Sequence, residues 1–165
     1  MSDWTIQPER AEDAEAVDAV LRAAFAGEYE VRLVRALRQR GELALALLAR
    51  QGGHAVGFIA FEALAVAPAP GYPVWALAPL AVTPERQRRG IGAALVGEGL
   101  RCARAAGIGF VAVLGEPHYY ARFGFRPELA QGLEVPWPGP HFMGLKLGPV
   151  PTPVGVARYP AAFFA

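Results

Sequence analysis

The stretch LAVTPERQRRGIGAAL, residues 80–95, combines the end of an apolar strand with the start of a helix. The chain turns at Thr83-Pro84, and Gly90 and Gly92 open the helix. The first N–H groups of a helix have no internal partner and lie at the positive end of its dipole, so they bind phosphate oxygens well. Glycine also lets a phosphate approach the backbone closely. The stretch therefore predicts a pyrophosphate site between a strand and a helix.

Two other phosphate-binding loops fit this stretch less well. It has no Gly-Lys-Ser or Gly-Lys-Thr, which excludes the Walker loop. The dinucleotide pattern G-x-G-x-x-G lacks its third glycine because that position is Leu95, and the stretch does not open a βαβ unit. Arg88 or Arg89 could add positive charge at the phosphate, or both could face solvent.

The flanking residues predict an α+β fold, an α/β sandwich with a mixed, mostly antiparallel central sheet between helices. The length of 165 residues suits one domain over residues 1–165, with segment 148–165 packed against it. Pro8-Glu9 is expected to open the first helix. Pro79 is expected to cause a bulge, because proline cannot donate to a strand ladder. Helices are predicted over 8–26, 28–40 and 91–106, and strands over 5–7, 43–50, 55–66, 74–82, 109–114 and 142–147.

Two motifs carry a resemblance to a known family. Gln87-x-x-Gly90-x-Gly92 after an apolar strand resembles the acetyl-CoA motif of the GNAT superfamily of N-acetyltransferases. Residues 117–125, PHYYARFGF, are similar to the Y-x-x-x-G-F signature that follows the next strand in these enzymes. Their P-x-Y-Y-x-R-F-G-F form resembles one bacterial subgroup of predicted N-acetyltransferases. Further similarity lies in residues 136–140, 142–143 and 159–163.

The resemblance implies the GNAT fold and an acetyl-CoA-dependent N-acetyltransferase. Such an enzyme moves the acetyl group from the thioester directly to a primary amine in a ternary complex. The acceptor would be a small-molecule amine or a peptide amino group, and a homodimer fits the family. The implied acetyl-CoA contacts are Leu80, Ala81 and Val82 for the pantetheine arm, Gln87, Arg88, Arg89, Gly90, Ile91, Gly92 and Ala93 for the pyrophosphate, and Tyr120 near the sulfur.

Tyr120 is the expected general acid that protonates the departing thiolate, because a tyrosine with an ordinary pKa of about 10 carries its proton at neutral pH. Its neighbour Tyr119 is assigned to the core. Many GNAT enzymes use a glutamate on the strand before the cofactor motif as general base, but residues 74–79 contain no acid. Glu62, a lone acid in an apolar strand, is the tentative general base, since burial would raise its pKa.

Other acids remain open alternatives. Glu116 and His118 lie beside the second motif and are further candidates for the base. Glu28 and Glu30 open the second predicted helix, where they could attract a cationic amine or form a solvated face. Cys102 and Ala106 are expected to share the buried face of the helix over 91–106 with Ile91 and Leu95, which makes Cys102 a small core residue.

Composition excludes several classes. The net charge of +1 argues against nucleic acid as the main partner. A single cysteine allows no intrachain disulfide and favours a reducing, cytoplasmic location. No signal peptide and no membrane span are expected, and the three histidines lack the spacing of metal ligands. Two alternatives to an active enzyme stay open: a non-catalytic acyl-CoA-binding or sensing protein of the same fold, and an interaction module around Trp137.

Overall fold

A six-stranded mixed sheet, in the order β1-β2-β3-β5-β6-β8, organises the protein. The computed structural model describes residues 3–165. All neighbouring strands in this sheet are antiparallel except β5 and β6, which are parallel. Its strands are β1 (Trp4–Pro8), β2 (Leu45–Gln51), β3 (His54–Ala63), β5 (Val74–Val82), β6 (Phe110–Leu114) and β8 (Phe142–Lys146).

A second sheet of three short strands closes one end of the molecule. Its order is β4-β9-β7, formed by Ala65–Ala67, Gly155–Arg158 and Leu133–Glu134. The interval 55–66 was predicted as one strand, but the structure divides it, because β3 ends at Ala63 and β4 pairs with β9 instead. The helices are α1 (Ala14–Ala24), α2 (Tyr29–Gln39), α3 (Ile91–Ala105) and α4 (Pro117–Ala121).

Helices cover both faces of the main sheet, as the predicted sandwich requires. Alternate residues of a strand point to opposite faces. Phe58 and Ala60 of β3 pack with α1 and α2, whereas Ile59 and Phe61 pack with α3. A Cβ at Gly99 would lie 2.4 Å from Cε1 of Phe61, so glycine allows α3 to approach the sheet closely. The predicted α+β sandwich is therefore confirmed.

The start of the first helix differs from the prediction. Pro8 is the last residue of β1, where it pairs with Leu47, and α1 begins only at Ala14. β1 is the edge of the sheet, where the missing N–H of proline is tolerated. The intervening turn is held by Asp13, whose carboxylate accepts a hydrogen bond from the Arg10 N–H at 2.9 Å.

The expected buried face of α3 is only partly correct. Ile91 and Leu95 are buried, but Cys102 is half-buried and Ala106 is exposed beyond the end of the helix. The buried arc is centred on Gly99, so Cys102 lies at its edge and Ala103 takes the core position. Cys102 is thus at the helix surface, where its sulfur contacts Glu98.

Candidate active site

The site begins where β5 and β6 separate. Their ladder ends at the pair Leu77–Val113, next to a bulge in which Ala78 and Pro79 of β5 lie opposite a single residue of β3. The predicted interruption at Pro79 is therefore confirmed. Beyond the bulge β5 continues beside β3, so its other edge borders a gap in the sheet.

The backbone of β5 presents unpaired groups to this gap. The Thr83 N–H donates to the Val56 carbonyl oxygen at 2.9 Å, toward β3. Successive residues of an antiparallel strand direct their N–H and C=O groups to opposite sides. Leu80 and Val82 therefore direct theirs into the gap, whereas Ala81 directs its own toward β3.

The turn after β5 places the first amides of α3 beside the same gap. Arg88 and Gly90 have left-handed backbone angles, with φ of 63° and 89°. Gly90 caps α3, and the first helical hydrogen bond runs from the Ala94 N–H to the Gly90 carbonyl oxygen at 3.0 Å. The N–H groups of the residues between them have no partner within the helix. A left-handed non-glycine residue costs about 1–2 kcal/mol, and such strain is concentrated at binding sites.

A first cavity of about 530 Å³ lies over these amides, and we call it the glycine cavity. The Gln87 side-chain amide donates to the Val82 carbonyl oxygen at 3.0 Å and fixes the turn against the strand. A Cβ at Gly92 would lie 2.6 Å from the Tyr119 hydroxyl oxygen, so this space exists only because the residue is glycine. The cavity is lined by Leu80, Val82, Gln87, Arg88, Gly90, Gly92, Ala93, Tyr119 and Arg122.

Seven of the eleven predicted cofactor residues line the glycine cavity, and four do not: Ala81, Arg89, Ile91 and Tyr120, the last of which lines a second cavity. Ala81 is 2% exposed and Ile91 is 1% exposed, so both side chains belong to the core. Arg89 is exposed to solvent outside the lining. Ile91 retains a link to the site through its N–H group, which lies in the first turn of α3.

Tyr119 and Arg122 are lining residues that the sequence analysis did not assign. Tyr119 was placed in the core, but it is half-buried and lines the cavity. The Arg122 guanidinium lies 4.3 Å from the centre of the Tyr119 ring. Residues three apart share one face of a helix, and the spacing from Tyr119 in α4 to its C-cap Arg122 is the signal that could have paired them. Arg88 and Arg122 are the charged residues of the lining, so the cavity is positive.

A second cavity of about 550 Å³ meets the first at Leu80, and we call it the aromatic cavity. It is bordered by α2, by β5 at the bulge, by the residues after β6, and by Trp137 and the C-terminal segment. The lining residues are Phe25, Tyr29, Glu30, Leu33, Leu77, Ala78, Pro79, Leu80, Leu114, Gly115, Glu116, Tyr120, Trp137, Tyr159 and Phe163.

Tyr120 lies in the aromatic cavity, close to where the two cavities meet. It is 8% exposed, and its ring packs edge-on against Tyr119 and Phe125, with ring centres 5.0 and 5.7 Å apart. Burial, and then the neighbouring Tyr119, raises the pKa of the Tyr120 hydroxyl above its usual value. The hydroxyl therefore keeps its proton throughout the neutral range.

Glu62 does not line either cavity. It is 0% exposed, and among residues 3–165 neither carboxylate oxygen has a hydrogen-bond partner. Burial raises the pKa of this carboxyl well above 4.5. Its link to the site is Tyr159, which lines the aromatic cavity and whose pKa is raised by burial and then by Glu62.

The remaining acids divide between the site and the surface. Glu30 and Glu116 line the aromatic cavity. Glu28 is exposed and forms an ion pair with Arg22, with N and O atoms 2.9 Å apart. His118 is exposed and lines neither cavity.

Residues 3–165 contain neither a metal-binding cluster nor a membrane-spanning helix. No group of three or more His, Cys, Asp or Glu side chains is arranged to hold a metal ion. No helix in this part of the chain combines the length and the apolarity that crossing a membrane requires.

The sequence profile of the acetyltransferase (GNAT) family matches residues 14–125, which include the gap in the sheet, the glycine turn and α4. The chain belongs to the GNAT family. This membership confirms the resemblance and the expected class of enzyme, an N-acyltransferase.

GNAT relatives match almost the whole chain. The chain is 38% identical to the uncharacterized N-acetyltransferase YhbS of Escherichia coli over 130 residues, which cover 77% of this chain and 76% of YhbS. The crystal structure of E. coli YhbS in complex with CoA aligns with a TM-score of 0.89, covering 100% of this chain and 94% of that one at 32% identity. A GNAT acetyltransferase from Brucella melitensis in complex with acetyl-CoA aligns with a TM-score of 0.82, covering 97% of each chain at 34% identity.

Proposed function

We propose that this GNAT enzyme uses acetyl-CoA as co-substrate and transfers the acetyl group to a primary amine in a ternary complex. The observation that carries the proposal is the meeting of two cavities at Leu80, beside the unpaired edge of β5. One cavity suits a diphosphate and the other suits an acceptor, so both substrates can be present together. The CoA and acetyl-CoA complexes of the E. coli and Brucella relatives support this choice of co-substrate.

The glycine cavity fits the coenzyme in shape and charge. The free amides at the start of α3 would hold the pyrophosphate, and Arg88 and Arg122 would neutralise it. The free backbone groups of Leu80 and the free N–H of Val82 would pair with the amides of the pantetheine arm, which would then lie along β5 as an added strand. The lack of a side chain at Gly92 leaves room for the Tyr119 hydroxyl in the wall of this cavity.

Bound acetyl-CoA would supply a thioester whose carbonyl carbon accepts the amine. A backbone N–H of β5 beyond the bulge is positioned by the sheet and can donate to the carbonyl oxygen as it gains charge. One preorganised donor of this kind contributes about 3–4 kcal/mol. The β3 ladder holds this N–H in place before substrates bind, so little reorganisation is needed.

Tyr120 would donate to the sulfur as the thiolate leaves. Its raised pKa keeps it a hydrogen-bond donor throughout the neutral pH range. Because the same shift makes complete loss of the proton unfavourable, the phenol would stabilise the thiolate mainly by a strong hydrogen bond. Its position in the wall beside Gly115 supports this role, since a Cβ at Gly115 would lie 2.5 Å from the Tyr120 ring.

Two carboxylates are candidates for the base that accepts the proton of the amine. Glu116 lines the aromatic cavity and can act directly. Glu62, the base expected from the sequence, is completely buried and would have to act through Tyr159. The variants Glu116→Gln and Glu62→Gln separate the two routes. Loss of the true base lowers kcat at pH 7 and lets it recover at high pH, where the free amine is already neutral.

The central test is Tyr120→Phe. Removing one preorganised hydrogen-bond donor lowers kcat by about 100-fold or more, so kcat should fall by about that factor while the KM for acetyl-CoA stays the same. Tyr119→Phe is the matched control, because it removes a hydroxyl one residue away that lines the other cavity. It should raise the KM for acetyl-CoA a few-fold and keep kcat. An unchanged kcat in Tyr120→Phe would remove this residue from the mechanism.

A non-catalytic acyl-CoA-binding protein is the second candidate, favoured by the lack of an acid on β5. Both candidates predict that acetyl-CoA at 100 times its Kd stabilises the fold by about 2.7 kcal/mol. Only the enzyme releases free thiol when amines are added. Stabilisation without thiol release across a broad amine panel would favour the second candidate.

A further inference from the structure

The aromatic cavity is specific enough to indicate the chemistry of the acceptor. We propose that the acceptor is a primary amine with an apolar, ring-sized body and no acidic group, such as an arylalkylamine. This inference rests on the proposed function, because it assigns the aromatic cavity to the acceptor.

The walls of the cavity are apolar and largely aromatic. Trp137, Tyr159 and Phe163 form a corner: the centres of the Trp137 and Tyr159 rings are 4.9 Å apart at 73°, and those of Tyr159 and Phe163 are 5.0 Å apart at 67°. Leu33 packs in one cluster with Phe163, Trp137 and Tyr159, and Phe25 adds a further apolar side chain to the lining. Edge-on rings of this kind leave flat faces and edges against which another ring packs.

The charged residues that line the aromatic cavity are all acidic. Its charged lining residues are Glu30 and Glu116, and no Arg, Lys or His lines it. Neither acid is held by an ion pair among residues 3–165, in contrast to Glu28, which is paired with Arg22. Glu30 is half-buried on α2, and burial followed by the Glu30 charge raises the pKa of Tyr29.

This arrangement selects against acidic acceptors. A carboxylate or phosphate on the acceptor would lose its hydration among apolar walls, next to two like charges and without a cation to pair with. An incoming ammonium group is attracted by the same two acids and by the aromatic faces. The volume of about 550 Å³ lies within the usual range for small-molecule sites, and part of it adjoins Leu80, where the acetyl group must arrive.

Contacts outside the cavity hold the rings of this corner in place. The Tyr29 hydroxyl donates to the Phe163 carbonyl oxygen at 2.8 Å and ties the C-terminal segment to α2. Phe164 stacks on Trp137 from outside, with ring centres 5.7 Å apart and planes inclined by 16°. The aromatic walls are therefore supported from behind before any acceptor binds.

The experiment compares amines with their carboxylated counterparts. Thiol release is measured for phenethylamine against phenylalanine and for tryptamine against tryptophan, with ethanolamine, putrescine and a short peptide as other acceptors. The kcat/KM of each arylalkylamine should exceed that of its amino acid by about 100-fold, given the cost of an unpaired buried charge. Equal or better use of the amino acid, the diamine or the peptide would overturn the inference.

Charge reversal provides a sharper test. Glu30→Arg should lower the kcat/KM for phenethylamine by about 10-fold and raise that for phenylalanine, so the preference narrows or inverts. The matched control is Glu15→Arg, the same substitution at an exposed acid on α1 outside the cavity, which should change neither value. An unaltered preference in Glu30→Arg would contradict the assignment of this wall.

A binding measurement separates this inference from the proposed function. Calorimetry with phenethylamine and phenylalanine in the presence of saturating CoA reports on the cavity without turnover. Binding of the amine alone supports the inference even if no thiol is released, an outcome that would defeat the proposed function. Thiol release with another acceptor class, without binding of phenethylamine, defeats the inference and leaves the proposed function intact.

Discussion

The two cavities that meet at Leu80 differ in how the chain builds them. The glycine cavity is lined by seven residues from the stretch 80–93, by Tyr119 of α4 and by Arg122 directly after α4, and it relies on backbone amides and arginines. The aromatic cavity collects side chains from α2, β5, the residues after β6, the segment around Trp137 and the C-terminal segment. As a proposed coenzyme site, the first would bind through main-chain groups that tolerate sequence change, whereas the second, as a proposed acceptor site, would depend on individual side chains. The comparison teaches that co-substrate and acceptor recognition can change independently in this fold.

The largest effect is expected from a substitution that disrupts the glycine cavity. Gly90→Val places a β-branched residue at φ of 89° and directs its Cβ toward Trp4, 3.7 Å away. The turn must change, and the amides that face the cavity no longer converge. Because a hydrogen bond to a charged group contributes about 1.5–3 kcal/mol, the Kd for CoA should rise by about 100-fold.

Calorimetry with CoA checks this, and Gly97→Ala is the matched control. Gly97 lies on α3 with no atom within 4 Å of an added Cβ, so alanine should stabilise the helix by up to about 1 kcal/mol and leave the Kd unchanged. If Gly90→Val bound CoA as tightly as the native protein, the glycine cavity would not be the coenzyme site.

A smaller effect should come from Gly92→Ala, which fills the space below Tyr119. The added Cβ would lie 2.6 Å from the Tyr119 hydroxyl oxygen, so the ring must shift toward the coenzyme. Because the contact is the end of a mobile side chain, we expect a Kd for CoA that is higher by only about 10-fold. The double variant Gly92→Ala/Tyr119→Phe lacks the clashing oxygen and should bind like Tyr119→Phe alone. Equal affinities for Gly92→Ala and the double variant would refute this steric account.

The smallest effect concerns stability behind the aromatic cavity. The pKa of Glu62 in the folded protein lies well above its ordinary value of 4.5, so between these two values the folded chain retains a proton that the unfolded chain has lost. Its contribution to stability is full below pH 4.5 and falls as the pH rises toward the folded pKa, by at most about 1.4 kcal/mol per pH unit. Glu62→Gln carries no such proton. Thermal unfolding from pH 5 to 8 should show the native protein losing stability relative to this variant. If the stability of both proteins changed with pH in the same way, the raised pKa of Glu62 would be excluded.

Much of the glycine cavity could be predicted from the sequence because its parts are adjacent in the chain. The backbone geometry of the turn depends on Gly90 and Gly92, and the Gln87 side chain fixes the turn to Val82 five residues earlier. The spacing of these residues in the sequence already indicates this arrangement. Pro79 likewise marked the bulge at which the strands separate. The direction of the Ala81 backbone groups could not be predicted, because it depends on the β3 register, which spacing within one strand does not reveal.

The aromatic cavity could not be predicted in the same way. Glu30 and Trp137 are more than 100 residues apart in the chain, and only the packing of the C-terminal segment against α2 brings their elements to one cavity. Glu62 was recognised as unusual because it is a lone acid in an apolar strand. Its complete burial behind the cavity lining depends on which face of β3 it occupies and on the tertiary position of Tyr159.

The bond from the Tyr29 hydroxyl to the Phe163 carbonyl oxygen has a consequence for divergence within the family. It fastens C-terminal residues that line the proposed acceptor site to α2, which does not line the glycine cavity. We therefore expect that exchanging the C-terminal segment from Tyr159 to Phe164 between homologues would transfer the acceptor preference and leave coenzyme binding unchanged. Natural selection could thus change the acceptor preference of this enzyme through substitutions in its C-terminal segment.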